Sequence, residues 1–173
     1  ASFSVMANTL RGVYGTDVLL ATANSFTGSV LQADYNKKMA ASMIMPNGLM
    51  SRQRTMTGAE LKETVRAFVE GCEGGFVPFN RGSLPVVSGI AVEVKEAGGS
   101  YTLTGITRNG QPLKDDDTVT VTCLAAENQM EALLASESGT SLDGDTWVKN
   151  RWRDHVSGGG AALAEPENYM TLR

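Results

Sequence analysis

The side chains that most often carry out acid–base chemistry are scarce in this chain. His155 is the only histidine among 173 residues, so a histidine-rich metal centre or two histidines that share acid and base roles cannot be built. His155 falls on an apolar helix stripe, and no neighbouring nucleophile or orienting carboxylate accompanies it. We interpret it as a packing residue, and an autonomous hydrolase that uses His155 is the least favoured hypothesis.

Two acidic runs raise the question of a cation site. Asp115, Asp116 and Asp117 are consecutive, whereas a cation loop needs ligands at alternating positions and a turn glycine. Consecutive side chains on a chain that enters a strand point in different directions, so this run is predicted to be a solvated turn. The run Asp143-Gly144-Asp145 is predicted to be a turn that leads into a helix cap. We therefore expect no metal ligand in this chain.

The sequence also lacks the common motifs for covalent or phosphate chemistry. The serines at positions 25, 29, 88 and 138 lie in no Gly-x-Ser-x-Gly elbow. Neither a Gly-x-x-x-x-Gly-Lys phosphate loop nor a dinucleotide fingerprint occurs. The sequence thus predicts no catalytic residue and no cofactor within this chain.

Composition limits the class of partner. A length of 173 residues with 42% hydrophobic content suits one globular domain. A net charge of −4 argues against binding to nucleic acid or anionic lipid, which needs clustered Lys and Arg. No apolar run approaches the roughly 20 residues that cross a bilayer, so no membrane insertion is expected. Cys72 and Cys123 form either one disulfide or two separate buried thiols.

Local signals predict the early elements. Apolar residues from Phe3 to Tyr14 recur at helical spacing, and Gly15 ends the pattern before a buried strand that begins at Asp17. Thr57 and Glu60 have the spacing of a capping box, and Met56 and Leu61 that of a hydrophobic staple. The helix that follows carries one apolar stripe and is predicted to end at Gly71. The stripe consists of Leu61, Val65, Phe68 and Val69.

The later part of the chain is richer in strand signals. Alternating apolar residues predict one strand from Val86 to Val94 and a second from Tyr101 to Ile106, which leads to Asn109-Gly110, the strongest short hairpin signal. The β-branched run Thr118 to Thr122 is predicted to pair antiparallel with the strand before that turn. Ala125 to Ala135 is helical in composition, and a helix with the stripe Val148, Trp152, His155 and Val156 precedes a final strand, 168–172. These elements predict an α+β fold, a single domain 1–173 with a mixed β-sheet covered by helices.

Several segments also occur in an order shared with one known family. They are the hydrophobic segment ending at Asn24, Pro46-Asn47-Gly48, Thr57-Gly58-Ala59-Glu60-Leu61, Val87-Ser88-Gly89-Ile90, the hairpin at Asn109-Gly110, the strand Thr118 to Leu124, the helix around Trp147 to Val156, and Tyr169-Met170-Thr171-Leu172. Over nearly its whole length the chain resembles the carboxy-terminal domain of the bacterial 5′-nucleotidase and UDP-sugar hydrolase family.

This resemblance implies a division of labour. In the family, an N-terminal metallophosphoesterase domain holds two divalent metals and the catalytic His/Asp pair, and the C-terminal domain recognises the nucleoside or sugar. The resemblance therefore implies that this chain is a substrate-recognition domain, that its partners are such an N-terminal domain of the same polypeptide and a nucleotide or related small molecule, and that it works outside the cytoplasm or at the cell surface.

The resemblance also implies where a ligand would bind, although parts of the family's pattern are missing. The predicted substrate-binding residues are Asn24, Phe26, Asn47, Gln129 and Glu131. Family members carry an Arg after the Asn that corresponds to Asn24, a Pro-Phe pair where this chain has Pro46-Asn47, and a glycine-rich aromatic element in place of 127–131. Because these departures remove two aromatic faces and one charge, the alternative is a noncatalytic structural or interaction module with a degenerate pocket.

Overall fold

The computed structural model describes residues 2–21, 26, 49–70, 85–126, 140–141, 148–158 and 170–172. Its helices are α1 (Ser2–Tyr14), α2 (Gly58–Glu70) and α3 (Val148–Ser157). Its strands are β1 (Val18–Ala21), β2 (Leu49–Thr57), β3 (Val86–Ser88), β4 (Ala91–Ala97), β5 (Ser100–Arg108), β6 (Gln111–Pro112), β7 (Thr118–Ala126), β8 (Thr140–Ser141) and β9 (Met170–Leu172).

The strands form two sheets. The larger has the order β3-β1-β7-β2-β8, in which β1 and β7 are parallel and the other pairs antiparallel. The smaller has the order β6-β5-β4-β9, with β4 and β9 parallel. Both sheets are therefore mixed, and the predicted α+β class is confirmed with two sheets where the sequence predicted one.

The five-stranded sheet has apolar side chains on both faces, and these alternate along β1. Leu19 and Ala21 pack with α1 and α3 in one apolar cluster, which includes the fully buried Trp152. Val18 and Leu20 pack with α2 and the smaller sheet in a second cluster. Since successive strand side chains point to opposite faces, β1 contributes to both clusters and is buried throughout.

The start of α2 confirms the predicted capping box. The amide of Glu60 donates to Thr57 Oγ1 at 3.2 Å, and the amide of Thr57 donates to Glu60 Oε2 at 2.8 Å. Met56 and Leu61, the two staple residues, are both buried, as is the apolar stripe of the helix. The predicted end at Gly71 lies outside the described residues.

The end of α1 is also as predicted. Gly15 adopts φ 67°, and its amide donates to the carbonyls of Arg11 and Gly12 while that of Thr16 donates to Arg11. This arrangement satisfies carbonyls that the helix end would otherwise leave unpaired. It needs a residue with a left-handed backbone conformation, which glycine adopts without strain.

The pairing of the late strands differs from the prediction. Asn109 and Gly110 adopt φ 52° and 75°, so the hairpin turn is present, but it joins β5 to the two-residue β6. The strand β7 instead pairs with β1 and β2 in the other sheet, and it continues through Ala126, where a helix was predicted to have begun. The predicted partner of β5 was wrong because the strand after the turn is the two-residue β6. Pro112 has no amide hydrogen to donate to a neighbouring strand, which helps to limit the length of β6.

A second difference concerns the run of alternating apolar residues after Pro85. It divides at Gly89, which has φ 84°, into β3 of the larger sheet and β4 of the smaller sheet. A Cβ at Gly89 would lie 2.0 Å from the carbonyl oxygen of Asp17. The glycine therefore permits both the bend and the close approach that let one segment serve two sheets.

Candidate functional site

The strands of the five-stranded sheet begin and end at two opposite ends of the sheet, and different residues lie at each. At one end lie the last residue of β1, the first residues of β2 and β3 and the last residue of β7, because Ala21 pairs with Val86 and Leu124, and Leu49 pairs with Ala126. We call this end the loop edge. At the other end lie Asp17, Thr57, Gly89 and Thr118, and we call this end the capped edge.

Four of the five predicted binding residues are close in sequence to strand ends at the loop edge. Asn24 follows Ala21 by three positions, Asn47 precedes Leu49 by two, and Gln129 follows Ala126 by three. Glu131 follows two positions later. These four residues lie outside the described part of the chain, so their role stays a prediction. The strand ends that adjoin these residues in sequence, Ala21, Leu49 and Ala126, lie together at one end of the five-stranded sheet.

Phe26 is the predicted binding residue that the structure describes. Its side chain is 3% exposed and belongs to the apolar cluster with α1 and α3. Its ring centroid lies 5.9 Å from that of Phe3 on the first turn of α1. Phe26 therefore belongs to the core cluster and presents little of its surface to solvent.

The capped edge is organised around Asp17, which precedes β1. Asp17 Oδ1 accepts a hydrogen bond from Arg108 Nη2 at 2.7 Å, and Oδ2 accepts from the Thr120 amide at 2.9 Å and from its hydroxyl at 3.1 Å. Arg108 ends β5 and Thr120 lies in β7, so one carboxylate connects the two sheets. Neither residue was singled out from the sequence, because no local motif marks a contact across 91 positions.

These contacts set the protonation of Asp17. Burial acts to raise the pKa of Asp17, but the Thr120 hydrogen bonds and the charges of Arg108 and Arg11 outweigh it, and the pKa lies below its ordinary value of 3.8. Asp17 is therefore a carboxylate at neutral pH. Each of its oxygens already accepts at least one hydrogen bond, so we interpret the group as structural.

A second polar cluster lies beside Asp17. Arg11 donates from Nε to Ser88 Oγ at 2.9 Å and from Nη2 to Asn8 Oδ1 at 3.0 Å, and Ser88 Oγ donates to Asn8 Oδ1 at 2.6 Å. Asn8 and Ser88 are 4% and 1% exposed. The cluster fastens α1 to β3, and mutual hydrogen bonding satisfies these buried polar groups as burial requires.

The acidic run 115–117 forms a turn against the start of α2. Asp117 Oδ2 accepts from the Lys114 amide at 2.9 Å, and Asp115 pairs with Lys62 at 2.7 Å. The amides of Gly58 and Ala59 donate to the carbonyls of Asp117 and Asp115 at 2.7 and 3.1 Å. The carboxylates thus serve different partners, and within the described residues no group of three His, Cys, Asp or Glu side chains is placed to hold a metal ion.

Two further reactive groups among the described residues, Cys123 and His155, are fully and partly buried. Cys123 is a free thiol, and burial raises its pKa to about 12; Cys72 lies outside the described residues. His155 is partly buried, and its Nε2 atom, like Nε1 of Trp152 on the same helix, is buried with no hydrogen-bond partner within the described part of the chain. A thiol that stays protonated at neutral pH is a poor nucleophile.

One cavity of about 500 Å³ lies beside the β5–β6 hairpin. Arg108 and Lys114 contribute its positive charges, and Leu113 is 4% exposed. Arg108 is neutralised by Asp17, and Asp117 also lines the cavity. The cavity therefore has no consistent charge.

Among the described residues, no helix is both long and apolar enough to span a bilayer.

The fold is similar to part of several solved structures. The 5′-nucleotidase precursor of Thermus thermophilus aligns with 97% of this chain at a TM-score of 0.66 and 15% identity. The NAD nucleotidase NadN of Haemophilus influenzae aligns with 99% at 0.66 and 15%. The sulfate thiohydrolase SoxB of Thermus thermophilus, solved with glycerol, aligns with 98% at 0.66 and 12%. Neither the protein-family models nor the curated protein sequences give any match.

These likenesses concern one portion of each larger protein. The chain spans 34%, 33% and 31% of the length of the three solved chains. At such low identity the likeness is one of fold, and it confirms the predicted fold, that of the C-terminal domain of 5′-nucleotidases.

Proposed function

We propose that this chain is the substrate-recognition domain of a 5′-nucleotidase-like phosphoric ester hydrolase. In this proposal a separate N-terminal domain of the same polypeptide holds divalent metals and cleaves the ester. The loop edge binds the nucleoside portion through Asn24, Asn47, Gln129 and Glu131. The domain acts outside the cytoplasm or at the cell surface.

The observation that carries the proposal is the convergence of strand ends at the loop edge. Loops that extend from one end of a rigid sheet are a common place for binding residues, because the sheet fixes where each loop begins. Two of the similar structures are named as enzymes of nucleotides, and this chain spans about a third of each. A portion of that size is consistent with one domain of such an enzyme.

The chemistry of the described residues agrees with a recognition role. Asp17 accepts hydrogen bonds from Arg108 and Thr120 on both of its carboxylate oxygens, and Cys123 is a buried thiol. Amide side chains such as Asn24 and Gln129 offer both donors and acceptors, which suits the edges of a nucleobase or a ribose. Ester cleavage is thus left to the partner domain.

A second candidate function is a noncatalytic structural or interaction module with a degenerate pocket. The observation that favours it is the burial of Phe26, which is 3% exposed and packs against Phe3. A ring in that position offers no face to a base. Together with the missing arginine and aromatic residues of the family's pattern, this would remove most of the affinity for a nucleoside.

Calorimetric titration separates the two candidates. The chain is titrated with adenosine, uridine, AMP, NAD and a UDP-sugar, and saturable binding of at least one supports recognition. Loss of one side-chain hydrogen bond costs roughly 0.5–1.5 kcal/mol, so Gln129→Ala is expected to weaken that binding about five-fold. The matched control is Gln111→Ala, which removes an exposed amide in β6 next to Arg108 and should leave affinity unchanged.

Catalysis is tested in the larger polypeptide. Joined to the domain that precedes Ala1, the chain should support metal-dependent phosphate release from nucleoside monophosphates. No response to any ligand of the panel, or a preceding domain unrelated to metallophosphoesterases, contradicts the recognition role and leaves the structural module as the better account.

A further inference from the structure

The turn that joins β5 to β6 consists of Asn109 and Gly110, and both residues are exposed. Asn109 adopts φ 52° and Gly110 φ 75°, the left-handed backbone that a two-residue hairpin turn requires. Asn8 is the opposite case, because it is 4% exposed, lies inside α1 and accepts hydrogen bonds on Oδ1 from Arg11 and Ser88. The side-chain amide of Asn109 is therefore open to water, whereas that of Asn8 is enclosed.

Asparagine followed by glycine can rearrange without a cofactor or a second protein. The Gly110 nitrogen attacks Cγ of Asn109, the Cγ–Nδ2 bond breaks, and ammonia leaves with the amide proton of Gly110, so that a cyclic imide remains. Water then opens the imide by adding a hydroxyl to one carbonyl carbon and a proton to the nitrogen. Breakage at Cγ gives aspartate, and breakage at the main-chain carbonyl carbon gives isoaspartate. Gly110 has no side chain that would shield its nitrogen from the attack.

The hairpin holds this turn closed only weakly. Ring closure requires the backbone of Asn109 to rotate out of its turn conformation, so the reaction depends on local opening of the hairpin. The strand that closes the turn, β6, has two residues, both exposed, which pair with Thr107 and Arg108. One of the two is Pro112, which has no amide hydrogen to donate. Because segments with few buried contacts open at a low free-energy cost, the turn can open while both sheets stay folded.

We propose that Asn109 is a site of spontaneous deamidation through a cyclic imide with Gly110, and that the isoaspartate product disrupts the β5–β6 hairpin. Isoaspartate carries the main chain through Cβ and Cγ of residue 109, which adds one backbone atom to a turn whose length fixes the register of the hairpin. The pairing of β6 with Thr107 and Arg108 is then lost. Arg108 also donates to Asp17 at 2.7 Å, so the modification weakens a contact between the two sheets. This inference does not depend on the proposed function.

The modification is tested by incubating the whole folded chain at mildly alkaline pH and mapping its peptides by mass spectrometry. Replacement of the amide NH₂ by OH raises the mass by one dalton. The peptide that contains Asn109 should gain this mass, and the peptide that contains Asn8 should not. Asn47-Gly48 is the same dipeptide outside the described residues, so the map must separate it from Asn109. No gain at Asn109 by the time that a synthetic peptide of residues 106–113 is fully converted would overturn the proposal.

The effect on the hairpin is tested against the variant Asn109→Gly, which lacks the reactive amide and keeps a dipeptide that two-residue hairpin turns favour. Both chains are incubated in parallel, and the isoaspartate form of the unmodified chain is isolated by anion exchange, since it carries one additional negative charge. Amide hydrogen exchange over 107–112 should be faster in the isoaspartate form than in Asn109→Gly. Equal exchange in the two would overturn the disruption of the hairpin, and unequal exchange before any incubation would show that the substitution itself alters the turn, in which case the isoaspartate form is compared with the freshly prepared chain.

Discussion

The two ends of the five-stranded sheet are built in contrasting ways. At the capped edge, short hydrogen bonds join residues next to strand ends. Arg108 at the end of β5 donates to Asp17 before β1, and the Gly58 amide after β2 donates to the Asp117 carbonyl before β7, both at 2.7 Å. At the loop edge, the strand ends at Ala21, Leu49 and Ala126 lead to the segments that carry the predicted binding residues.

Under the proposed function, residues that stabilise the fold and residues that recognise the ligand lie at opposite ends of one sheet. Asp17, Asp115 and Asp117 at the capped edge already contact partners within the chain, so these side chains have little capacity left for a ligand. We propose that the loop edge is where side chains are free to change with the ligand while the sheet keeps its geometry. Substitutions at the capped edge should therefore change the free energy of unfolding, and substitutions at the loop edge should change ligand affinity.

The largest stability effect is expected for Gly58→Ala at the capped edge. A Cβ at Gly58 would lie 1.7 Å from the carbonyl oxygen of Lys114, so the turn and the start of α2 must move apart. We expect a loss of about 3 kcal/mol in the free energy of unfolding, measured by urea denaturation. The control Gly12→Ala, in a helix with no atom within 4 Å of the new Cβ, should gain about 0.8 kcal/mol. Equal effects in the two variants would contradict the close packing at this edge.

Asp17→Asn should have the next largest effect. It removes a charge that accepts from Arg108 and Thr120, and because the side chain is 37% exposed, we expect a loss of about 2 kcal/mol at pH 7, below the sum for separate charged hydrogen bonds. Asp116→Asn, an exposed change in the same region, should alter stability by less than about 0.5 kcal/mol.

The effect of Asp17 should depend on pH in a defined direction. The pKa of Asp17 is lower in the folded chain than its ordinary value of 3.8, so its carboxylate stabilises the fold above that value. The contribution is lost as the pH falls through the folded pKa. The difference in stability between the unmodified chain and Asp17→Asn should therefore shrink below about pH 4. A difference that grows with acidification would exclude this role.

The smallest of these effects is expected at the start of α2. Thr57→Ala removes the hydroxyl that accepts from the Glu60 amide, and loss of such a cap costs about 1 kcal/mol. The hydrogen bond from the Thr57 amide lowers the pKa of Glu60. A double-mutant cycle of Thr57→Ala with Glu60→Ala should give a coupling energy different from zero, whereas strict additivity would mean that the capping box contributes nothing as a unit.

The sequence predicted those parts of the fold that short-range signals determine. The capping box of Thr57 and Glu60, the helix end at Gly15 and the turn at Asn109-Gly110 each depend on residues within a few positions, and all are present. The pairing of β7 with β1 and β2 was missed, because it joins Thr122 to Leu19 and Gln53 across long stretches of chain. The bend at Gly89, which divides one apolar run between two sheets, left no pattern in hydrophobicity.

The candidate site was less accessible to sequence reasoning. The positions of Asn24, Asn47 and Gln129 near strand ends followed from a resemblance in order and spacing, and the structure adds that those strand ends share one edge. The burial of Phe26 could not be read from the sequence, since its loop-like surroundings favoured a ligand contact, whereas the structure packs its ring in an apolar cluster with Phe3.

Amide hydrogen exchange with and without a bound nucleotide tests most directly whether recognition and stability lie at opposite edges. Peptides that cover 22–48 and 127–139 should exchange more slowly in the presence of saturating nucleotide, and those that cover Asn109 to Asp117 should exchange at the same rate. Protection confined to the hairpin and its turn, or no protection anywhere with nucleotide at saturation, would contradict the account.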